Sequence, residues 1–160
     1  MSATIPLTKG QVALVDDEDF AWLSQWSWCL NSRGYAVRAE RKDGKSFAVL
    51  MHRQVLGLVP GDGRVADHRN HNRLDNRRSN LRACSNAENV ASQKRGRQDR
   101  YKGTSWSPSA AKWEAYICPG GSKLTLGYFD DPIDAALAYD RAALAHFGEF
   151  AVPNFLAVAS

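Results

Sequence analysis

One stretch in the middle of the chain constrains the fold more than any other. Residues 64–68 follow a short β pattern, residues 69–79 are polar and rich in turn formers, and residues 80–84 return to a strand pattern. Ser85, followed three positions later by Glu88, makes a capping box that starts a helix. A helix that follows a hairpin in this order packs across it. We therefore expect the first turns of the helix to face the first strand.

Strand patterns dominate both sides of this stretch. Near the N-terminus, alternating runs flank Asp43-Gly44, a dipeptide typical of a tight hairpin. After residue 100, three strand-like runs precede a helix that begins at Pro132, with Asp130 or Asp131 as its cap. We predict an α+β chain whose C-terminal part is a three-stranded antiparallel sheet packed on one helix. The predicted segments are a β-rich N-terminal segment (1–51), the strand-loop-strand-helix core (52–93), a basic linker (94–100) and a C-terminal domain (101–160).

Composition and hydropathy exclude several classes of protein. A hydrophobic share of 44% and an aromatic share of 10% are typical of a folded chain. No run approaches about 18 apolar residues, and no basic segment precedes an apolar one at the N-terminus. We therefore expect no membrane span, no secretory signal and a cytoplasmic location. Cys29, Cys84 and Cys118 are too widely spaced for a Cys-x-x-Cys zinc site, and we interpret them as reduced structural thiols.

The net charge of +4 is unevenly distributed along the chain. Residues 1–51 hold six basic and six acidic residues, residues 52–102 hold twelve and five, and residues 103–160 hold three and six. The central segment therefore carries +7, and a local excess of this size attracts polyanions. A solvated basic surface without a partner is the alternative interpretation of the charge alone.

Four side chains in the central stretch could carry out chemistry. Hydrolysis of a phosphodiester needs a water that loses a proton near neutral pH and a cation that offsets charge on the phosphate. His68 suits the proton transfer, because an imidazole titrates near ~6.5. Asp67 and Asn89 offer oxygen ligands that Mg²⁺ or Mn²⁺ prefer, and Asn80 lies on the returning strand. Taken singly, each residue is more often a turn former or a solvent-exposed side chain.

A resemblance to the HNH homing endonuclease family lies in residues 65–92, VADHRNHNRLDNRRSNLRACSNAENVAS. Its spacing places Asn80 twelve positions and Asn89 twenty-one positions after His68. The resemblance implies a ββα-metal site with His68 as general base, Asp67 and Asn89 as ligands of one Mg²⁺ or Mn²⁺ per active site, and Asn80 holding the hairpin and the imidazole. Asn89 stands where the family often has His, and an amide binds metal less strongly.

The resemblance continues upstream, where residues 5–53 are similar to the region that precedes this unit in phage and bacterial homing enzymes. His52 matches a histidine common there, and we expect it to pack or to form a hydrogen bond at the start of a helix. In the central loop, His71 is a second imidazole. We interpret it as a phosphate-contacting or surface group, with a share in the base role as the alternative.

Residues 101–155 resemble the APETALA-type DNA-binding domain of plant ethylene-response factors, through motifs that include Tyr101-Lys102-Gly103, Leu126-Gly127-Tyr128-Phe129 and Asn154-Phe155. In that family a three-stranded sheet enters the major groove and a helix backs it. Ser105, Ser107 and Glu114 replace arginines of the plant sheet, which predicts modest sequence preference. The predicted DNA-binding residues are Arg69, His71, Arg73, Arg77, Arg78, Lys94, Arg95, Arg97, Trp106, Lys112, Trp113 and Lys123.

The sequence therefore predicts an endonuclease that cuts double-stranded DNA, as a monomer or weak dimer without a small-molecule cofactor. A DNA-binding regulator that does not cleave is the first alternative. Such a protein would have no use for the complete set of four candidate residues. A zinc-stabilised module built on Cys84 and histidines is the second, and its spacing does not suit tetrahedral ligands. For Trp113, a position in the hydrophobic core is the alternative to contact with DNA.

Overall fold

The computed structural model describes residues 1–93 and 101–155. The chain divides into two compact units, Met1–Ser85 and Asn86–Ser160. The predicted linker at residues 94–100, with Lys94, Arg95 and Arg97, lies outside the described residues. Among the described residues, no helix combines the length and the apolar character needed to cross a membrane.

The first unit begins with two small antiparallel sheets joined by a short helix. Its elements in chain order are β1 (Ser2–Pro6), β2 (Val12–Asp16), α1 (Asp17–Leu23), β3 (Cys29–Leu30), β4 (Ala36–Lys42), β5 (Lys45–Leu50) and α2 (Met51–Val55). Strand β1 pairs with β2, and β4 lies between β3 and β5. The predicted Asp43-Gly44 turn joins β4 to β5, and both of its residues have positive φ, of 51° and 73°.

A second hairpin completes the first unit. Strand β6 (Val65–His68) pairs antiparallel with β7 (Leu81–Cys84), and His68 lies opposite Leu81. The polar loop between these strands is fastened to β2, because Leu14 N donates to Leu74 O at 2.8 Å and Asn76 N donates to Leu14 O at 2.7 Å. Residues far apart in sequence thereby fix the conformation of the loop.

The hydrophobic core of the first unit draws on almost every element. Leu23, Met51 and Val15 are fully buried, and Trp28, in the segment between α1 and β3, is only 3% exposed. Burial of such side chains stabilises the unit by about 1.5 to 3 kcal/mol each. The buried core residues are Ile5, Leu7, Ala13, Val15, Leu23, Trp28, Ala36, Met51, Val55 and Leu81.

The second unit contains a three-stranded antiparallel sheet and two helices. Its elements are α3 (Asn86–Ser92), β8 (Thr104–Ser107), β9 (Lys112–Ile117), β10 (Leu124–Phe129) and α4 (Pro132–Phe147), with β9 in the centre of the sheet. The predicted cap of α4 is present, because the Asp131 side chain accepts a hydrogen bond from Ile133 N at 2.7 Å. The core of this unit consists of Ala91, Ile117, Tyr139, Ala143 and Phe147.

Asn154 joins the two ends of the sheet-and-helix segment in the second unit. Its Oδ1 accepts from Lys102 N at 2.5 Å, and its Nδ2 donates to Lys102 O at 3.0 Å. The carboxylate of Asp140, on α4, accepts from the backbone N–H groups of Asn154 at 2.7 Å and Phe155 at 3.0 Å. One buried carboxylate and one amide therefore hold residues 102 and 154 side by side.

The structure confirms the α+β fold class predicted from the sequence. Two predictions about the N-terminal part were incomplete. Strand β1 carried no recognised signal, and the alternating run at residues 26–30 forms a strand only at Cys29–Leu30. The tryptophans explain the second difference, because Trp28 Nε1 donates to Leu23 O at 2.9 Å and so holds this run against the end of α1. None of the three cysteines forms a disulfide.

Candidate active site

Asp67 and His68 end strand β6 side by side, and both are buried, with 7% and 5% of their surfaces exposed. Neighbouring residues of a strand point to opposite faces. Burial of both therefore requires that each face of the hairpin be covered at this point. The predicted Asp67-His68 pair is therefore buried in the fold and is not a pair of solvent-exposed side chains.

Arg82 is the cross-strand partner of Asp67. Its Nε and Nη2 lie 2.8 and 2.7 Å from Oδ2 of the carboxylate. The side chains of both residues are at most 10% exposed, so this is a buried ion pair. Because both of these contacts reach Oδ2, the arginine leaves Oδ1 of Asp67 as the oxygen that could bind a second cation.

Two aromatic side chains surround the imidazole of His68. The ring of His52, on α2, makes an edge-to-face contact with it at a centroid distance of 5.1 Å. The ring of Tyr35, just before β4, lies 4.9 Å from His52 and 6.0 Å from His68. Three elements of the first unit therefore bring these rings together around His68.

Burial keeps both imidazoles neutral. It lowers the pKa of His68, with a smaller contribution from the positive charge of Arg73, while the side chain of Asn76 and the charges of Asp67 and Asp75 act in the opposite direction. Burial, with smaller electrostatic contributions from His68 and Arg53, lowers the pKa of His52 to about 3. A neutral His68 is in the protonation state that accepts a proton.

Three buried polar atoms in this region lack a hydrogen-bond partner among the described residues. They are Nε2 of His68, Nδ1 of His52 and Oδ1 of Asn76. Such atoms are rare in folded proteins and often belong to functional sites. Neither Asn76 nor Tyr35 was assigned a role from the sequence. No local signal identifies them, because their importance comes from packing against residues distant in the chain.

Asn80 fixes the loop between β6 and β7. Its Oδ1 accepts from Asn70 N at 3.0 Å, and its Nδ2 donates to Asp75 O at 2.7 Å. Both polar ends of the side chain are therefore bonded to loop backbone. The predicted roles of Asn80 in holding the hairpin and the imidazole stay predictions.

The arginines of the loop differ in their partners. Arg77 binds Asp75 through Nε and Nη2 at 2.8 and 2.7 Å. Arg78 binds Asp19 of α1 through the same two atoms, at the same two distances. Arg73 instead has neutral partners, because its Nη1 donates to the carbonyl of residue 33 at 2.7 Å and its guanidinium lies 5.0 Å from the Tyr35 ring centroid. The other predicted phosphate contacts in this loop, Arg69 and His71, are exposed.

The remaining predicted site residues belong to the second unit. Asn89 is half-buried on α3, where its backbone carbonyl accepts from Ser92 Oγ at 2.9 Å. Its pairing with Asp67 as a metal ligand, and the packing of the helix across the hairpin, stay predictions.

The sheet of the second unit carries the four side chains predicted to face DNA. Trp106 is 50% exposed and contacts the half-buried Trp113 edge to face, with ring centroids 5.6 Å apart. Both lysines pair with carboxylates: Lys112 Nζ lies 3.2 Å from Asp130, and Lys123 Nζ lies 2.6 Å from Glu114. The charges of two lysines expected to contact DNA are thus partly neutralised by carboxylates of the same unit.

Comparisons with known proteins agree with the first resemblance. The family model described as HNH endonuclease matches residues 47–91. An uncharacterized HNH endonuclease of Acanthamoeba polyphaga mimivirus is 29% identical over 146 residues, which cover 91% of this chain and 76% of the viral protein. The chain therefore contains an HNH endonuclease domain and is homologous to a viral protein of that name, and both findings support nuclease activity.

Shorter similarities involve plant proteins. An APETALA2-like protein of Oryza sativa is 39% identical over 61 residues, and an AP2-like ethylene-responsive transcription factor of Arabidopsis thaliana is 37% identical over 62 residues. These matches cover 38% and 39% of this chain but only 14% and 13% of the plant proteins. The APETALA-type character of the C-terminal domain therefore stays a proposal.

Proposed function

We propose, because the HNH endonuclease family model matches residues 47–91, that the protein is a metal-dependent DNA endonuclease of the homing or mobile-element type, with His68 as its general base. The observation that carries this proposal is the buried, neutral imidazole of His68 next to the buried carboxylate of Asp67 at the end of β6. A proton acceptor and an anionic oxygen ligand are the two groups that this hydrolysis requires.

The residues present fit a hard divalent cation. Asp67 supplies a carboxylate oxygen that Arg82 does not engage, and the predicted second ligand, Asn89, would supply an amide oxygen. Oxygen ligands favour Mg²⁺ or Mn²⁺, and no cysteine takes part in the proposed set. When bound, the cation supplies positive charge that offsets the charge growing on the phosphate and on the leaving oxygen.

The chain's own residues perform the proton transfer and the positioning. His68 removes a proton from a water molecule as the water oxygen forms a bond to phosphorus. The bond between phosphorus and the 3′ oxygen breaks, and the 3′ oxygen leaves with its electron pair. Arg82 holds the Asp67 carboxylate in one orientation, and Asn80 holds the loop that follows His68. Fixed positions of this kind lower the entropic part of the barrier.

Among the loop arginines, Arg73 is best suited to bind a phosphate of the substrate. Its described partners are neutral, so no carboxylate among them offsets its charge. That positive charge also lowers the pKa of His68. Arg77 and Arg78, which pair with carboxylates, would mainly hold the loop in shape. Lys94, Arg95 and Arg97 stay predicted phosphate contacts outside the described residues.

The test is a cleavage assay with supercoiled plasmid DNA. Wild-type protein with Mg²⁺ or Mn²⁺ should relax or linearise the plasmid, and EDTA should abolish the reaction. His68→Ala should reduce the rate by about 100-fold or more, because general-base catalysis contributes roughly 10² to 10⁴. His146→Ala, at an exposed histidine of α4, is the matched control and should cleave normally. Equal cleavage by His68→Ala would refute the role of the base.

A DNA-binding protein without cleavage is the second candidate, favoured by the exposed Trp106 and its edge-to-face contact with the half-buried Trp113 on the sheet of the second unit. Aromatic side chains of this kind, next to cations, suit contact with nucleic acid. Under this alternative, the protein would shift the mobility of duplex DNA in a gel, and no metal would produce cleavage. Trp106→Ala should weaken binding under either proposal.

A further inference from the structure

The basic and acidic residues of the N-terminal segment lie on different elements. Residues 1–51 are neutral in sum, but four of their six carboxylates fall at Asp16–Asp19, and five of their six cations fall at residues 33–45. The first group begins α1, where Asp19 is already paired with Arg78 at 2.8 and 2.7 Å. The second group lies in and just before the β4–β5 hairpin. The neutral total therefore hides a basic hairpin.

The outer end of this hairpin is exposed on both faces. Successive residues of a strand point to opposite faces, and yet every residue from 41 to 48 is exposed. None of these eight residues belongs to the buried core of the first unit. They form a two-stranded ribbon that extends beyond the packed part of the sheet, and we call residues 41–48 the arm.

A pair of like charges lies at the tip of the arm. Lys42 and Lys45 are directly opposite each other in the antiparallel register, an arrangement that destabilises a hairpin. Neither lysine has a carboxylate partner among the described residues, and the same is true of Arg41 beside them. The stability of the hairpin does not explain this cluster of cations. A polyanion that contacts the tip would relieve the repulsion between the two lysines.

The base of the hairpin adjoins the candidate active site. Tyr35, whose ring centroid lies 6.0 Å from that of His68, immediately precedes β4, and His52, at 5.1 Å, is the second residue of α2, directly after β5. The tip is five residues along β4 from the Val37–Leu50 pair at the base, or about 17 Å at about 3.3 Å per residue. Phosphates of one DNA strand are about 3.4 Å apart, so this length corresponds to about five base pairs.

We propose that the arm binds the substrate duplex beside the cut, with Arg41, Lys42 and Lys45 in contact with backbone phosphates. Arg41 and Lys42 are successive residues of β4, so cations lie on both faces of the ribbon. The arm contains no Asn or Gln, whose amides read adenine, and a lysine binds phosphate as a point charge. The arm therefore contributes affinity without sequence preference. This inference rests on the proposed function, because it takes DNA as the substrate.

The test is binding of a mixed-sequence duplex of about 30 base pairs, measured by fluorescence anisotropy in EDTA at several salt concentrations. Lys42→Gln/Lys45→Gln removes two phosphate contacts, each of which contributes about 0.9 to the slope of log K against log salt. The slope should become shallower by about 2, and the affinity at about 0.15 M salt should fall by about 10- to 30-fold. An unchanged slope would overturn the proposal.

Two comparisons separate a local contact from a general effect of charge. Lys9→Gln/Arg141→Gln removes the same number of charges at exposed positions outside the arm and should leave slope and affinity within about two-fold of the wild type. Asp43→Asn removes a negative charge at the tip and keeps the turn, because Asn-Gly suits the same turn as Asp-Gly. It should tighten binding by about two- to five-fold. Equal losses of affinity in the two double variants would contradict a contact at the arm.

A urea titration separates binding from folding. Because Lys42→Gln/Lys45→Gln removes the like-charge pair, it should unfold at the same urea concentration as the wild type or at a higher one. A loss of affinity accompanied by a lower urea midpoint would assign the two lysines a structural role and count against the arm.

Plasmid cleavage shows whether the arm or the proposed function fails. Since the arm binds away from the reacting phosphate, Lys42→Gln/Lys45→Gln should raise KM and leave kcat nearly unchanged. A wild-type protein that binds DNA through the arm but does not cleave it would refute the proposed function and leave the arm in place. A protein that cleaves DNA, and whose double lysine variant binds as the wild type does, would refute the arm alone.

Discussion

The neutral, buried His52 should make the stability of the first unit strongly dependent on pH. In the unfolded chain this imidazole takes up a proton below its ordinary pKa of 6.5, whereas in the folded protein it stays neutral until about pH 3. Since the folded pKa is depressed, the contribution to stability is fully present above pH 6.5 and is lost as the pH falls toward 3.

The size of this loss follows from one proton per molecule. Each pH unit below 6.5 lowers the free energy of unfolding by about 1.4 kcal/mol, so the loss is on the order of 3 kcal/mol at about pH 4.5. His52 is only 5% exposed, so solvent screening does not reduce this figure. Most carboxylates titrate below about pH 4.5 and add little within this window. His68 also has a lowered pKa and adds to the slope.

Urea denaturation at several pH values, followed by ¹⁹F signals of fluorotryptophan, measures this effect for each unit separately. Trp22, Trp26 and Trp28 report on the first unit, and Trp106 and Trp113 report on the second. His52→Gln is the comparison, because an amide does not titrate. The variant should be less stable at neutral pH but should lose on the order of 3 kcal/mol less than the wild type between about pH 8 and 4.5. Equal losses in the two proteins would refute the reasoning.

Two further predictions concern stability. Arg82→Met leaves the buried carboxylate of Asp67 without its partner and should lower the free energy of unfolding of the first unit by about 3 to 5 kcal/mol, measured by the same urea titration; a loss below about 1 kcal/mol would contradict the buried ion pair. Gly103→Ala places a Cβ 1.8 Å from Cδ2 of Tyr139 at a φ of +71° and should destabilise the second unit by about 2 to 4 kcal/mol. Gly120→Ala has no heavy atom within 4 Å of the added Cβ and should change stability by less than about 0.5 kcal/mol, and equal effects of the two substitutions would contradict the steric argument.

The secondary structure was predictable where its signals are local. The Asp43-Gly44 turn needs positive φ at two successive residues, and the start of α4 needs a capping side chain and a proline. Each requirement is met by neighbours in sequence, so the pattern of residue types is sufficient to predict it. The alternating run at residues 26–30 predicted a longer strand than the structure has. The indole of Trp28 instead donates a hydrogen bond to the carbonyl of Leu23, a contact that no strand pattern indicates.

The surroundings of the candidate base were not predictable in the same way. Tyr35 and His52 meet His68 only because separate parts of the first unit pack together. The charge count identified the central segment as basic but could not tell which guanidinium groups the fold neutralises. Arg78, for example, pairs with a carboxylate 59 positions earlier in the chain. Such pairing is a property of tertiary structure, and no local spacing encodes it.

The bonds around Asn154 have a consequence for how such a segment can be combined with other proteins. Because residues 102 and 154 lie side by side, the chain enters and leaves this sheet-and-helix segment at one point. A segment with adjacent ends can be placed in a surface loop of another domain without pulling that loop apart. The geometry that closes the segment on itself is thus also the geometry that makes it transferable between proteins.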